Sequence, residues 1–214
     1  MGEAVLAARD LSRSFGRSWA VRRVSVEMHA GTLTALTGDN GAGKSTLLGL
    51  LAGLLRPSEG QVAVFGEAFT GFFPADIRER VGFLGHLPFV YPDLSGRENL
   101  AFFRGLYRVD PAKAATDDAL LAEVGLTDAS HRLARTYSRG MTQRLALARM
   151  LLQDAPIWLL DEPSTGLDAA GQALLSRVLA DAKARGRCVV AVTHDLAPLG
   201  QIDREVRLRG GRLA

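Results

Sequence analysis

The segment Gly38-Asp39-Asn40-Gly41-Ala42-Gly43-Lys44-Ser45-Thr46 constrains this chain more than any other. It stands between an apolar run, Leu33 to Leu36, and a helix-forming run, Leu47 to Leu55. A glycine-rich turn that leaves a strand and opens a helix lets successive backbone N–H groups converge on an anion at the positive end of the helix dipole. Ending in a lysine and a hydroxyl residue, the pattern is that of a loop that cradles the phosphates of a nucleoside triphosphate. Lys44 places a cation on the terminal phosphates and Ser45 offers a hydroxyl to Mg²⁺. The competing reading, a glycine-rich turn with no ligand, fails on the strand-to-helix context.

The remaining composition narrows the class. A chain of 214 residues is long enough for one large domain or one domain with an insertion, and the latter is expected. The net charge of +3 comes almost wholly from scattered arginines, without a basic block or interleaved aromatics, so no nucleic-acid platform is expected. The single cysteine, Cys188, permits no disulfide framework and suits a reducing compartment. The longest apolar stretch, Leu47 to Leu55, falls far short of the roughly 18–20 residues that span a bilayer, and the N-terminus lacks the apolar core of a signal peptide. The expectation is a cytoplasmic protein unless a partner holds it at a membrane.

Periodicity gives the order of elements. Val5 to Ala8 and Val21 to His29 alternate like half-buried strands, and Ala30-Gly31 turns the chain into the strand before the phosphate loop. Arg56 to Gly60 breaks the pattern and Gln61 to Phe65 reads as another short strand, so a small antiparallel sheet is expected beside the nucleotide. From Leu94 to Val124 the pattern is helical. Ser95 with Glu98 forms a capping box, Asp110-Pro111 is expected to start a second helix, and Gly125 closes it. After Ala155 come a strand (Ile157 to Leu160), a helix (Ala169 to Ala184), a strand (Cys188 to Val192) and a short strand near Glu205 to Leu208. That alternation indicates a largely parallel sheet buried on both faces. One domain is expected over 1–214, with a core formed by about 1–85 and 155–214 and a helical subdomain over about 86–154.

The run Ile157-Trp158-Leu159-Leu160 ends in Asp161 and Glu162, two carboxylates that a buried strand does not carry without a use for them. Asp161 fits a residue that holds Mg²⁺ with Ser45, since a hard cation bridging phosphates takes oxygen ligands. Glu162 is placed to orient or deprotonate the attacking water. The plainer alternative is an acidic strand end facing solvent.

With these residues in order, the chain resembles the nucleotide-binding subunit of ATP-binding-cassette (ABC) transporters over nearly its whole length. The matching positions are Phe15, where the family stacks an aromatic ring on adenine; Gly38 to Thr46; Gly85 to Pro88 in the Q-loop position; Tyr137 to Met141 as signature; Asp161-Glu162; Ser164 to Asp168 as D-loop; and His194 as switch histidine. The resemblance implies an α/β P-loop NTPase fold, with a mixed β-sheet core, an N-terminal antiparallel β subdomain and an inserted α-helical subdomain. It also implies ATP and Mg²⁺ as ligands, integral-membrane transporter subunits as partners, and a peripheral position on the inner face of the cell membrane. A head-to-tail homodimer would sandwich two ATP molecules between one subunit's phosphate loop and the other's Ser138 and Gly140. Lys44, Glu162 and His194 would be catalytic, Asp168 would cross the dimer interface, and ATP hydrolysis would move the membrane partners. Each role has a plainer counterpart: Phe15 as core, Ser138 and Asp168 as helix N-caps.

Three features depart from the common pattern. The signature reads Tyr-Ser-Arg-Gly-Met, so Arg139 and Met141 replace a glycine and a glutamine while Ser138 and Gly140 remain. His86 stands where a glutamine oxygen usually reaches Mg²⁺, and an imidazole is a poor ligand for that cation, so its place among the metal ligands is doubtful. The chain stops soon after His194, which leaves no C-terminal regulatory domain to expect. The run Gly85-His86-Leu87-Pro88, followed by Leu94-Ser95 and Glu98 to Phe103, is similar to the ATPase subunit of the haem exporter of cytochrome c maturation. Phe89, Tyr91, Phe102 and Phe103 would then form an apolar docking patch for membrane partners, about half of them serving as subdomain core instead. The alternatives are the ATPase of another small exporter of lipids, drugs or an antibiotic, and a soluble ABC protein of Fe–S cluster assembly.

Overall fold

A computed structural model describes residues 4–110, 112 and 115–214. The chain opens with two long antiparallel strands, β1 (Ala4–Phe15) and β2 (Ser18–His29), then β3 (Leu33–Thr37), the phosphate loop and α1 (Lys44–Leu51). Strands β4 (Glu59–Val64) and β5 (Glu67–Phe69), the short α2 (Ala75–Glu79) and β6 (Val81–Leu84) follow. Between β6 and β7 lie α3 (Gly96–Leu106), α4 (Asp117–Glu123), two 3-10 turns and α5 (Arg139–Gln153). The chain ends with β7 (Ile157–Asp161), α6 (Ala169–Ala184), β8 (Cys188–Val192), β9 (Arg204–Arg209) and β10 (Arg212–Leu213).

The strands form two sheets. One is antiparallel, in the order β2-β1-β4-β5; the other runs β10-β9-β3-β8-β7-β6, parallel except at β10. Side chains of the parallel strands alternate between two cores, as a pleated strand buried on both faces requires. Leu36, Ile157, Leu159, Val190 and Val192 join α1 and the antiparallel sheet, whereas Leu33, Ala35, Trp158, Leu160 and Val189 join the core built with α3 to α6. Helix α1 therefore sits between sheets, and Leu47, Leu48, Leu50 and Leu51 are all buried.

The expected mixed sheet with a separate antiparallel sheet is observed, with differences in detail. The first two strands reach further than the alternating stretches suggest, because β1 continues through Asp10, a positive-φ residue beside a shift in register. Helix α1 stops at Leu51, since Gly53 adopts φ 66 and its N–H bonds back to Leu50. The second helix of the insert starts at Asp117, not at Asp110-Pro111. Thr116 caps it through Ala119 N–H, and Asp117 and Asp118 complement the dipole of its first turn. Pro111 itself lies outside the described residues. Ser95 and Glu98 form the expected reciprocal cap on α3.

Candidate functional site

The register of the parallel sheet brings the candidate residues to one edge. Leu36 of β3 and Asp161 of β7 both lie opposite Val192 of β8, so the phosphate loop, Glu162 and His194 all leave the sheet at its carboxyl end. In open α/β sheets this is the end at which ligands bind.

Gly38 to Thr46 forms a loop whose exposed crest is Asp39, Asn40 and Gly41, with Ala42 buried beneath. The loop is pinned by Ala42 N–H to the Asp39 carbonyl (3.1 Å) and by Gly211 N–H to the Ala42 carbonyl (3.0 Å). Gly43 has φ 99, and a Cβ there would lie 2.1 Å from the Ala20 carbonyl of β2, so no larger residue fits this approach. Lys44 is buried and its Nζ donates to the carbonyls of Gly38 (2.7 Å) and Asp39 (3.0 Å), which holds the ammonium at the mouth of its own loop. Thr46 is half-buried behind it.

Ser45 Oγ donates to Asp161 Oδ1 at 3.2 Å, so a hydroxyl and a carboxylate separated by 116 positions in sequence meet as the oxygen pair suited to a hard cation. Among the described residues no group of three or more His, Cys, Asp or Glu could hold a metal by itself, so phosphate and water oxygens would complete such a shell. His86 is exposed just past the end of β6.

Glu162 leaves β7 with φ 52, a costly conformation for a side chain with a Cβ, fixed by its N–H bond to the Val192 carbonyl (3.0 Å). This turn takes its carboxylate away from Asp161 and toward His194, whose Nδ1 lies 2.9 Å from Glu162 Oε2. With Asp161 already turned to Ser45, the two adjacent acids have different partners. A neutral imidazole donating Nδ1–H to Glu162 carries no proton on Nε2; it can donate to a phosphate as well only as imidazolium.

Ser138 is exposed and caps α5, its Oγ accepting Met141 N–H at 3.2 Å. Arg139 is exposed at the first turn. Gly140, whose lack of a side chain leaves its N–H bare, also makes a close packing contact: a Cβ there would lie 2.8 Å from the Gly166 carbonyl. Asp168 caps α6 through Gly171 N–H (2.8 Å). Phe15 is 50% exposed at the end of β1, which removes its reading as a core residue. Of the four aromatics expected to form a docking patch only Phe103 is core; Phe89, Tyr91 and Phe102 are exposed, beside a cavity of about 370 Å³ that Phe89, Val90, Tyr91, Phe103 and Arg149 line.

Two residues were not singled out from the sequence. Gln143, buried in α5, donates to the Pro163 carbonyl at 2.9 Å and ties the signature helix to the segment after Glu162. Arg149, buried beside Phe89 and Phe103, donates to the Phe83 and Phe89 carbonyls, and desolvation pushes its pKa down. A polar residue at an inward position of an amphipathic helix was the available signal for both.

The chain matches the family described as ABC transporter over residues 21–165. It belongs to the ABC transporter family. It is 39% identical to the fluoroquinolones export ATP-binding protein of Mycobacterium tuberculosis (strain CDC 1551 / Oshkosh), over all of this chain and 70% of that one. It is 42% identical to the cytochrome c biogenesis ATP-binding export protein of Rhodopseudomonas palustris (strain HaA2), over 85% of this chain and 86% of that one. A solved ATP-binding subunit of an ABC transporter superposes with TM-score 0.86 at 28% identity, covering 98% of this chain and 88% of that one. A dimeric ATP-binding cassette bound to ADP and Pi shares the fold, with TM-score 0.85 at 24% identity over 97% of this chain and 96% of that one. This ABC protein is thus the ATP-binding subunit of a transporter, an ATPase whose hydrolysis of ATP is coupled to transport. Cassettes of this family form dimers and work with membrane components. Among the described residues no helix is long and apolar enough to cross a membrane.

Proposed function

We propose that this ATPase drives an exporter serving haem export and cytochrome c biogenesis, from the inner face of the cell membrane. The observation that carries the reading is its likeness to the cytochrome c biogenesis export proteins, which it matches at about their own length. A drug exporter is the second reading, favoured by the fluoroquinolones export protein that aligns with the whole of this chain.

In the proposed mechanism, the N–H groups of Gly38 to Thr46 and the Lys44 ammonium bind the ATP phosphates, and Phe15 stacks on the adenine. Ser45 and Asp161 would hold Mg²⁺, which when bound would neutralise phosphate charge. Two copies pair head to tail, so that Ser138 and Gly140 of one cap the γ-phosphate held by the other, with Asp168 at the seam. Glu162 accepts a proton from water as the water oxygen attacks the γ-phosphorus and the bond to the ADP oxygen breaks. His194 holds the Glu162 carboxylate in line and contacts the γ-phosphate. Residues of about 86–154 act as the helical subdomain that carries Ser138 and presents Phe89, Tyr91 and Phe102 to the membrane subunits.

The test is to tag Glu162→Gln in the native host, solubilise membranes in MgATP with mild detergent and identify what co-purifies. Small multi-span proteins together with cytochrome c assembly factors support the first reading. A permease outside that system supports the second, and recovery of soluble scaffold proteins alone refutes both.

A further inference from the structure

Arg13 and Phe15 are two residues apart on β1 and so project from the same face of the strand. The Arg13 guanidinium carbon lies 4.7 Å from the centroid of the Phe15 ring. Arg13 Nη1 donates to the Arg56 carbonyl at 2.9 Å, while its Nε is buried with no hydrogen-bond partner. A solvated surface arginine would keep that donor wet; here the group gives up hydration at Nε and sits over an aromatic ring. The support beneath it is fixed as well. Ser58 Oγ accepts Ser14 N–H (3.2 Å) and Ser58 N–H donates to the Ser12 carbonyl (2.8 Å), tying the end of β1 to the turn that holds Arg56. Arg13 also pairs across the hairpin with Val21, next to Ala20, whose carbonyl abuts Gly43 of the phosphate loop. One face of the Phe15 ring is covered by a fixed cation, and half of the residue remains exposed.

We propose that Arg13 is a positioning residue for the nucleotide base, clamping Phe15 from one side so that the purine stacks on the other. The inference rests on the reading of Phe15 as the base platform. The clamp fixes the χ angles of a half-exposed ring before the base arrives, so less side-chain freedom is lost on binding. Arg13 touches the base only through the ring, and its effect therefore exists only while the ring is there.

The experiment is calorimetric titration of MgATP and of magnesium tripolyphosphate, which has no base, into wild type, Arg13→Ala, Phe15→Ala and the double variant, with Arg13→Gln as a milder second removal of the cation. Arg13→Ala and Arg13→Gln are expected to raise the Kd for MgATP about three- to five-fold. Both should leave the Kd for tripolyphosphate unchanged, and the double variant should bind MgATP no more weakly than Phe15→Ala alone. Equal loss for tripolyphosphate would make Arg13 a phosphate-directed charge and overturn the proposal. So would losses that add in the double variant, or a lowered melting temperature with both Kd values unchanged. If Phe15→Ala itself leaves MgATP binding intact, the platform reading of Phe15 fails first, and the clamp fails with it.

Discussion

An alanine at Gly140 sets two opposed effects against each other. Gly140 lies in the first turn of α5, and replacing a helical glycine with alanine is worth up to about 1 kcal/mol in favour of folding. Against this, the new Cβ would stand 2.8 Å from the Gly166 carbonyl, nearer than carbon and oxygen approach without a shift. The obstacle is backbone, in a segment that Gly166 turns at φ 79 and that Gln143 anchors at Pro163, so it cannot rotate away as a side chain would. Overpacking of this kind costs about 1–3 kcal/mol, and the net expectation is a loss of about 1 kcal/mol. For a chain of 214 residues that is a fall in Tm of about 2–4 °C.

Gly105 in α3 supplies the control, because it is exposed and a Cβ there meets nothing within 4 Å. Gly105→Ala should therefore raise Tm by about 2–3 °C through propensity alone. Differential scanning calorimetry of both variants, with ATP turnover measured on the same samples, separates the effects. Gly140→Ala should also lower turnover, since the shift falls on the signature helix and the segment following Glu162. A Gly140→Ala protein that melts above wild type and turns over normally would refute the packing argument and leave the glycine there only for its bare N–H.

Other perturbations test separate parts of the site. Lys44→Ala removes the ammonium at the loop mouth and should abolish MgATP binding by calorimetry; unchanged affinity would remove the role given to the phosphate loop. Glu162→Gln keeps the size of the side chain and a hydrogen bond to His194 but cannot accept a proton, so hydrolysis should fall about 10²- to 10⁴-fold in single-turnover assays while MgATP still binds. It should also accumulate ATP-dependent dimers, and a Glu162→Gln protein that stays monomeric at saturating MgATP counts against the head-to-tail scheme. Burial pushes the Cys188 thiol from 9.0 up to about 12. The unfolded thiol ionises first as pH rises, so the stability tied to this group is whole below pH 9 and is lost between pH 9 and 12, by at most about 1.4 kcal/mol per pH unit. Denaturant melts of wild type and Cys188→Ala across that range should converge as pH rises. Parallel curves would mean that the thiol does not contribute.

The parts of the fold legible in the sequence are those fixed by local pattern. A strand, a glycine-rich turn and a helix between Leu33 and Leu51 follow from apolar periodicity and the demands of a phosphate loop, and two acids ending an apolar strand mark β7. Elements too short to show a period were missed: α2 has five residues and β6 four. The start of α4 was misplaced because two capping signals compete there, Asp110-Pro111 and Thr116 with two following aspartates, and the sequence does not rank them. The Ser45–Asp161 contact, 116 positions apart, was legible because both ends carry a phosphate-site motif, but contacts without such motifs left no trace in one sequence. The Glu162–His194 pair, 32 positions apart, and the approach of Gly140 to Gly166 exist only once the sheet has set its register.

Those long-range contacts join two regions that the proposed pairing assigns to different nucleotides. In a head-to-tail dimer, Glu162 acts on the ATP of its own phosphate loop, whereas Ser138 serves the ATP of the other copy. Within one chain, however, the segment from Pro163 to Asp168 is bound to the signature helix at two points: Gln143 holds the Pro163 carbonyl, and Gly140 packs on the Gly166 carbonyl. Asp168 then fixes the far end of that segment to α6. With both ends held and a carbonyl packed against Gly140, the segment has little slack. In the proposed dimer, a shift of Glu162 on loss of the γ-phosphate would therefore be passed to the N-terminus of α5, and so to the other nucleotide. The Gln143 side chain is what makes this link more than packing: it is a buried amide with a defined carbonyl partner, and an apolar residue of its size would fill the space but leave the Pro163 carbonyl without its donor.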